Sequence, residues 1–402
     1  MMKATIKTYG CKVNQYESQL LNENLEKSGY ELSDYRESEV VIVNTCCVTE
    51  KAESEARRFV RKGLQDGKRV WITGCAVRKE NDFALLPGVE IFEDKEVLTR
   101  LKLAGIEGIT RFFHHTRAFV KIEDGCENFC SYCIIPYVRG PVRSRNQDDI
   151  VREVENLAGN GYKEIVLTGV DIGAYGRDTF TDIVKLLDAI SRVEGIKRIR
   201  ISSMEVFHLN VNLVEYLAGN GLVCPHLHIP LQSGSDRILA LMKRRYGVSD
   251  YLRKLDMIRK KIPHVTFTTD AMVGFPGESE EDFNLTCRAI ERCGFIKVHI
   301  FRYSGRKETP AYYLGGQVPE SAKKERESVL KRVAEMVSFR IKKDFIESPV
   351  EILVERKKGN AFHGYSLNYI PVFFNSAKEF KNEIVKVRVK DIKNGKLFCV
   401  AG

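Results

Sequence analysis

Long apolar runs are missing from this chain of 402 residues. A helix that crosses a bilayer needs about 20 consecutive apolar residues, and no stretch of the sequence approaches that length. The first residues, from Met1 to Lys7, lack the apolar core of a secretory leader, so we expect no signal peptide. Low-complexity tracts are also absent. These absences predict a cytoplasmic protein with no membrane partner.

Cysteine, in contrast, is plentiful, with 11 residues. In the absence of a secretory signal, so many thiols point to a reducing compartment and to metal binding or catalysis rather than disulfides. The length predicts two or three domains. The net charge of +10 favours a polyanionic partner, although many ordinary enzymes are equally basic.

The densest motif is a short loop with three cysteines, Cys126, Cys130 and Cys133, directly after an apolar β-like run at 118–122. Thiolates this close together hold either one soft metal ion or one iron–sulfur cluster. A four-iron cubane with three protein ligands keeps one iron open for a small molecule, as catalytic zinc sites keep an open position. A zinc loop or a set of buried thiols is the alternative.

The spacing of this loop, with Tyr132 just before its last cysteine, resembles the radical S-adenosylmethionine superfamily. The resemblance implies a 4Fe-4S cluster whose open iron binds the amino and carboxylate groups of S-adenosylmethionine. It also implies that Cys126, Cys130 and Cys133 are both cluster ligands and catalytic residues.

Residues 1–112 alternate strand and helix patterns, which predicts a small parallel sheet covered by helices. Cysteines follow the predicted strands 5–10, 40–44 and 70–74, namely Cys11, Cys46 (with Cys47 beside it) and Cys75. Ligands of open parallel sheets bind at the carboxyl ends of the strands, so we expect these thiols to share one metal cluster. The alternative is that they are ordinary buried cysteines.

The sequence around these thiols, from Tyr9 to Ser18, from Asn44 to Thr49 and from Thr73 to Cys75, resembles the amino-terminal domain of the methylthiotransferase family. The resemblance implies that Cys11, Cys46 and Cys75 hold a second, auxiliary 4Fe-4S cluster. Cys47 departs from the family pattern, which usually has Thr or Ser there. We expect Cys46 to be the ligand because it is the aligned position.

Residues 113–342 repeat a strand-then-helix rhythm six times, which predicts a partial (β/α)6 barrel. The predicted strands cover 119–122, 164–168, 198–202, 227–231, 266–270 and 297–301. Ligand sites in such barrels lie at the carboxyl ends of the strands. The first of these ends is the Cys126 loop, which agrees with its predicted role.

Polar residues and glycines follow the other barrel strands and predict a pocket for a polar nucleoside. By the resemblance, Ser203, Glu205, Gln232 and Asp270 bind the ribose and methionine parts of S-adenosylmethionine, with Tyr132 and Gly169 near its adenine or amino group. Turn chemistry and helix capping are the alternative for each. Three arginines after the cysteine loop either bind phosphate or carboxylate or form a solvated turn, namely Arg139, Arg143 and Arg145.

Residues 343–402 contain several short β-like runs, which predict a small β-barrel. This segment has eleven Lys or Arg against seven Asp or Glu. Aromatic residues alternate with the basic residues, as in small barrels that bind RNA. These aromatics are Phe362, Tyr365, Tyr369 and Phe373. The stretch from Gly364 to Tyr369 resembles the RNA-binding TRAM domain that ends methylthiotransferases. A protein-interaction or dimerisation module is the alternative.

Taken together, these features predict an α/β fold with three domains, at 1–112, 113–342 and 343–402. Within the family, the motifs starting at Gly10, Ile201 and Gly364 most resemble the branch acting on threonylcarbamoyladenosine at tRNA position 37. That branch implies methylthiolation of C2 of this adenine, with tRNA (its anticodon stem-loop), an external electron donor and a sulfur source as partners. Near alternatives are isopentenyladenosine in tRNA and a ribosomal-protein aspartate. A hypothesis of another class is a non-catalytic, zinc-dependent RNA-binding protein.

Overall fold

The computed structural model of the chain describes residues 1–48, 50–78, 86–92, 107–113 and 115–401. Within these ranges no helix combines the length and apolar character that crossing a membrane would require.

The amino-terminal part forms a five-stranded parallel sheet. Its strands and helices in chain order are β1 (Lys3–Thr8), α1 (Lys12–Lys27), β2 (Glu31–Leu32), β3 (Val40–Thr45), α2 (Glu50–Gln65), β4 (Arg69–Gly74) and β5 (Val89–Ile91). The sheet order is β2-β1-β3-β4-β5, so β3 is central. Every residue of β3 is buried, because α1 covers one face of the sheet and α2 covers the other. The predicted small parallel α/β domain is confirmed.

The central part forms an arc of six parallel strands. Its strands are β6 (Arg117–Lys121), the short pair β7 (Glu123–Asp124) and β8 (Arg143–Ser144), then β9 (Glu164–Thr168), β10 (Arg198–Ile201), β11 (His226–His228), β12 (Thr266–Val273) and β13 (Lys297–Arg302). Two three-stranded sheets, β6-β9-β10 and β11-β12-β13, make up the arc. An isolated parallel bridge between Ser203 and His228 joins them. The predicted partial (β/α)6 barrel is confirmed.

Helices cover the outside of this arc, except α3 (Ile135–Arg139), which packs against the amino-terminal domain. The covering helices are α4 (Gln147–Gly159), α5 (Ile183–Ser191), α6 (Val211–Gly219), α7 (Asp236–Leu241), α8 (Val248–Lys261), α9 (Glu280–Cys293) and α10 (Glu320–Lys343). Two serines after the strands act as helix caps. Ser235 accepts a hydrogen bond from the backbone of Ile238, and Ser279 accepts one from the backbone of Asp282.

The carboxyl-terminal part is a closed five-stranded β-barrel in the order β14-β15-β16-β18-β17. Its strands are β14 (Pro349–Lys358), β15 (Ala361–Ser366), β16 (Pro371–Asn375), β17 (Ile384–Lys393) and β18 (Lys396–Ala401). The predicted small β-barrel is confirmed, and its strand β15 has Gly364 near its centre. That glycine is required there, because a Cβ atom would lie 2.0 Å from the carbonyl oxygen of Leu353.

The β-barrel docks on the amino ends of the central strands. Arg200, in β10, donates to the carbonyls of Leu367 and Ser366 at 3.0 and 3.1 Å. The buried carboxylate of Glu164 holds this arginine at 2.8 Å. The first residues of β10 and β12, Arg198 and Thr266, also donate to this barrel, at the carbonyls of Tyr365 and Asn368. The carboxyl ends on the opposite side are therefore left for the cysteine loops.

Candidate active site

The Cys126 loop is closed by its own backbone. The amide of Cys126 donates to the carbonyl of Gly140 at 3.0 Å, and the amide of Cys133 donates to the carbonyl of Cys130 at 2.9 Å. Gly125 has φ +92°, and a Cβ atom there would lie 1.9 Å from the carbonyl oxygen of Pro141. This tight closure gathers the three thiols on one loop at the carboxyl end of β6.

Burial holds two thiols of this loop in the protonated form. Burial raises the pKa of Cys126 and of Cys133 to about 12, so the free thiols hold their protons and iron would have to displace them. In the described part of the chain, no three Cys, His, Asp or Glu side chains converge closely enough for a single metal ion. The fit of a cluster therefore rests on the three-thiol donor set and on the donor group beside it.

That donor group is Arg244, which the sequence patterns did not single out. Its Nη1 donates to the sulfur of Cys130 at 3.2 Å and to the hydroxyl of Tyr132 at 3.4 Å. Its Nη2 forms an ion pair with Glu205. One arginine thus brings Tyr132 and Glu205, two predicted S-adenosylmethionine contacts, to the cysteine loop. Its only sequence signal is a basic run from Lys243 to Arg245, which reads as a solvated turn.

Three other predicted cofactor contacts lie together around His228. Asp270 pairs with Nε2 of this histidine at 3.3 Å, and Ser203 forms the backbone bridge to it. Gln232 has φ +65°, and its backbone N–H donates to the backbone carbonyl of Asp270 at 2.8 Å. The strand ends therefore converge on one rim, as the barrel topology predicts.

Gly169 makes room for a protein carboxylate. A Cβ atom at this position would lie 2.3 Å from Oε1 of Glu123. Burial raises the pKa of Glu123 to about 8, and its Oε2 has no hydrogen-bond partner among the described residues. The close neighbour that this glycine admits is therefore Glu123.

A buried relay lies beside this glycine and was also missed. Nδ2 of Asn128, in the cysteine loop, donates to Asp171 at 2.9 Å. The other oxygen of Asp171 is 2.9 Å from Nε2 of His208. Asn128 and Asp171 lie 43 positions apart in sequence, so only the fold brings them together.

The second set of thiols lies at one edge of the amino-terminal sheet. Cys11, Cys46 and Cys75 follow β1, β3 and β4, which are neighbours in that sheet. The Sγ of Cys46 would be 3.0 Å from a Cβ atom placed on Gly10, directly before Cys11. The three positions are thus brought to one edge, as expected from parallel strands.

Cys47 also points into this edge. The hydrogen bond from the Cys47 thiol lowers the pKa of Cys75 to about 7, although burial opposes the shift, and Arg139 adds to the lowering. Cys46 therefore lies against Gly10, and Cys47 lies against Cys75.

Arg139 joins the two sets of thiols. It is the last residue of α3, and its Nε donates to the sulfur of Cys75 at 3.0 Å. Its Nη1 pairs with Asp124 at 2.8 Å and with Glu17 at 2.9 Å. Of the two interpretations of Arg139 in the sequence, carboxylate binding is confirmed, because Nη1 and Nη2 donate to the two oxygens of Glu17. The solvated turn is wrong, because the residue is buried.

Arg145 also binds a protein carboxylate, as one of its two interpretations predicted. Its Nη1 donates to Glu153 at 2.6 Å and to the hydroxyl of Tyr16 at 3.0 Å. These contacts hold α1 against the central domain. Arg143 is the exposed member of the three, with 54% of its side chain accessible.

Comparisons with known proteins identify the family. Residues 120–290 match the radical SAM superfamily, and residues 3–89 match Uncharacterized protein family UPF0004. The threonylcarbamoyladenosine tRNA methylthiotransferase MtaB of Thermotoga maritima is 38% identical over 100% of this chain and 98% of its own length. This chain belongs to the radical S-adenosylmethionine methylthiotransferase family. Its resemblance to that family, first seen in the cysteine motifs, is confirmed.

Other relatives of this methylthiotransferase carry two kinds of name. The MtaB protein of Bacillus subtilis is 34% identical over 97% of this chain and 94% of its own. The tRNA-2-methylthio-N(6)-dimethylallyladenosine synthase of Clostridium tetani is 36% identical over 88% of this chain and 86% of its own. Among solved structures, the radical S-adenosylmethionine methyltransferase TsrM of Kitasatospora setae aligns with TM-score 0.60 at 16% identity, covering 78% of this chain and 77% of its own, and so shares the fold.

Family membership implies one 4Fe-4S cluster and S-adenosylmethionine as cofactors of this methylthiotransferase. The three-cysteine loop, with its buried thiols and the Arg244 donor, fits that cluster.

Proposed function

We propose that this enzyme adds a methylthio group to C2 of N6-threonylcarbamoyladenosine at position 37 of tRNA. The single observation that carries the proposal is the 38% identity with the Thermotoga maritima MtaB protein over the whole chain. The motifs starting at Gly10, Ile201 and Gly364 support the same branch. We further propose that its partner is the anticodon stem-loop, with an external electron donor and a sulfur source.

Cys126, Cys130 and Cys133 hold the first cluster in this proposal. When bound, that cluster and S-adenosylmethionine supply the carbon-centred radical chemistry that an inert aromatic C–H bond requires. The chain's own part is to bind and orient. Arg244 places a positive charge and a hydrogen-bond donor against Cys130, and it holds the carboxylate of Glu205 near the same loop.

Six residues bind S-adenosylmethionine in the proposal. Glu205 and Tyr132, gathered by Arg244, lie next to the cysteine loop. The others lie along the rim of the strand ends, namely Gly169, Ser203, Gln232 and Asp270. All six are half-buried, so each is accessible to a ligand.

A second 4Fe-4S cluster is proposed on Cys11, Cys46 and Cys75, where it would carry the sulfur. The adjacency of β1, β3 and β4 supports this assignment, and so does the bond from Arg139 to Cys75. Cys46 rather than Cys47 remains the proposed ligand because of the family alignment. The domain limits proposed for the three functions stay at 1–112, 113–342 and 343–402.

The terminal β-barrel is proposed to bind RNA, with a smaller aromatic surface than the sequence indicates. Phe362 is buried in the barrel core, and Tyr365 and Tyr369 stack on each other under Arg117, against the central domain. The available face is formed by Phe373 and Phe398, whose rings stack at 5.7 Å. Lys396 lies 4.7 Å from the Phe373 ring and supplies the charge.

Methylthiolation of dimethylallyladenosine in tRNA is the second candidate, favoured by the relative from Clostridium tetani. Mass spectrometry of tRNA nucleosides from cells with and without the gene separates the two. We expect the 2-methylthio form of threonylcarbamoyladenosine to disappear with the gene. Loss of the 2-methylthio dimethylallyl form instead would establish the second candidate.

Anaerobic purification tests the class of protein. We expect a brown protein with about eight irons per chain, the content of two cubanes. A colourless protein containing zinc would contradict the proposed enzymatic function. It would support a non-catalytic, zinc-dependent RNA-binding protein instead.

A further inference from the structure

A large polar groove separates α2 of the amino-terminal domain from the loop that follows β13. Its volume is about 1240 Å³. Residues from α2, including Arg58 and Arg61, line one wall, and Arg306 and Lys307 line the other. The groove thus lies between two domains rather than inside either of them.

Each wall of the groove is connected to one set of thiols. Its first wall, α2, begins three residues after Cys47. Its second wall is tied to the Cys126 loop, because the amide of Ala311 donates to the carbonyl of Ser131 at 2.8 Å. A molecule lying in the groove would therefore be beside the reactive centre.

The lining of the groove is strongly basic. It contains seven Lys or Arg residues and three Glu residues. Arg57 and Arg61, and likewise Arg58 and Lys62, are spaced four residues apart on α2, where like charges repel. The helix dipole accounts for Lys62 in the last turn but not for arginines in the middle of the helix. A bound polyanion would relieve this repulsion.

Arg306 provides an independent sign of a missing anion. The residue is 7% exposed, and its Nη1 pairs with Glu53 at 2.9 Å. Its Nε and Nη2 are buried and have no hydrogen-bond partner in the part of the chain that the structure describes. Buried donors are nearly always bonded, because an unmade bond is costly. A planar guanidinium with two unused donors matches two oxygens of a phosphate.

The position of the terminal β-barrel also favours an RNA contact in this groove. That barrel covers the amino ends of the central strands, through the contacts of Arg200 with Ser366 and Leu367. The cysteine loops lie at the carboxyl ends. An RNA held by the β-barrel alone would not be anchored beside the reactive centre, so a second contact near the cysteines is needed.

We infer that this groove binds the sugar–phosphate backbone of the RNA substrate, next to the nucleotide that is modified. The inference rests on the proposed function, which makes tRNA the substrate. Arg306 grips one phosphate through its two unused donors, and Arg58, Arg61 and Lys307 neutralise the neighbouring phosphates. The groove thereby positions the target base between the two cysteine loops.

The test measures how salt weakens the binding of a labelled anticodon stem-loop RNA carrying threonylcarbamoyladenosine. The variant is Arg58→Ala/Arg61→Ala/Lys307→Ala, whose three side chains belong to exposed residues. Arg306 is kept because its ion pair with Glu53 contributes to folding. Each phosphate contact with a single strand contributes about 0.7 to the slope of log affinity against log salt, so the variant should lower the slope by about 2. Affinity at about 0.1 M salt should fall at least tenfold.

A matched control removes three exposed basic side chains outside the groove. It is Arg152→Ala/Arg192→Ala/Lys331→Ala, and these side chains are 70%, 78% and 70% accessible. We expect this control to keep the wild-type slope and to bind within twofold. Both variants should retain the cluster absorbance and the thermal midpoint of the wild type, which shows that they fold. Equal slopes for the groove variant and the control would overturn the inference.

Two further outcomes separate this inference from the proposed function. If the wild type methylthiolates the RNA while the groove variant binds it with unchanged slope, the groove assignment is wrong and the function stands. If the groove variant loses affinity while the wild type gives no methylthio product, the groove stands and the function is wrong. Equally tight binding of polyglutamate would indicate an acidic protein partner and overturn the RNA assignment.

Discussion

The Nε of Arg139 lies 3.0 Å from the sulfur of Cys75 and ties the two cysteine-bearing domains together. Arg139 ends α3, which starts two residues after Cys133, whereas Cys75 follows β4 of the amino-terminal sheet. The same guanidinium pairs with Asp124 and Glu17. Because one planar group binds partners from both domains, it sets the separation of the two loops before any substrate arrives.

Replacing Arg139 by Gln should destabilise the protein strongly. The carboxylates of Glu17 and Asp124 would lose the buried partner that neutralises them, which costs about 3–5 kcal/mol. Urea unfolding of the full chain measures the change. Arg143→Gln is the control, since 54% of that side chain is accessible, and it should change the free energy of unfolding by no more than about 0.5 kcal/mol. Similar losses for both variants would show that the Arg139 contacts are not maintained in solution.

Cys46→Ser and Cys47→Ser should differ in iron content. If Cys46 is a ligand of the auxiliary cluster, its serine variant should lose about four irons per chain and all methylthio product. Cys47→Ser should keep its iron, although it removes the thiol that bonds to Cys75. Iron analysis after anaerobic reconstitution makes the comparison. The reverse pattern would reassign the ligand to Cys47.

Glu123→Gln should change how stability depends on pH. Burial raises the pKa of Glu123 to about 8, so the folded state keeps a proton that the unfolded state loses near its ordinary pKa. This contribution is fully present below about pH 4.5 and declines by about 1.4 kcal/mol per pH unit until about pH 8. Gln cannot ionise, so the variant should gain stability relative to the wild type as the pH rises from 5.5 to 8.

Urea unfolding at both pH values measures this difference. Glu215→Gln is the control, because that carboxylate is 53% accessible. A constant difference between Glu123→Gln and the wild type at both pH values would mean that Glu123 is already ionised in the folded protein.

Arg244→Lys should make the cluster on the Cys126 loop harder to reduce. A lysine keeps the charge opposite Glu205 but lacks the second guanidinium nitrogen, which donates to Cys130. Hydrogen bonds to cluster sulfurs stabilise the reduced state, and one bond of about 1 kcal/mol corresponds to about 40 mV for one electron. The midpoint potential should therefore become more negative by about that amount.

A spectroscopic redox titration in a chain lacking Cys11, Cys46 and Cys75 isolates this cluster. Arg253→Lys on α8 is the control, because its side chain is 72% accessible. A potential that does not move, or that becomes more positive, would contradict the proposed contact between Arg244 and the cluster.

Phe398→Ala should weaken RNA binding by the terminal β-barrel. The Phe398 ring is 36% exposed and stacks on Phe373. Loss of one base–aromatic stack typically costs about 1–3 kcal/mol. Titration with the anticodon stem-loop RNA measures the loss of affinity. Phe339→Ala on α10 is the control, because that ring has a similar exposure of 46%. If both variants bind RNA equally well, the outer face of the barrel does not contact it.

The sequence alone determined the architecture and the six principal cysteines. Strand and helix periodicity predicted the parallel sheet, the arc of six strands and most of the final barrel, because burial imposes regular patterns on the elements that form a core. Cysteine spacing predicted the Cys126 loop in the same way, because its three thiols are close together in the sequence. The thiols after β1, β3 and β4 were predictable because parallel strands share a carboxyl edge.

Tertiary structure decided which charged and aromatic residues belong to the site. In the sequence, Arg139 and Arg145 either bind an anion or form a solvated turn, and the fold decides between the two by placing each against a partner more than 100 positions away in α1. Arg244 reaches Cys130 across 114 positions, and Tyr365 and Tyr369 pack against Arg117 instead of facing solvent. Such pairings depend on distances between domains, and local sequence patterns contain no information about those distances.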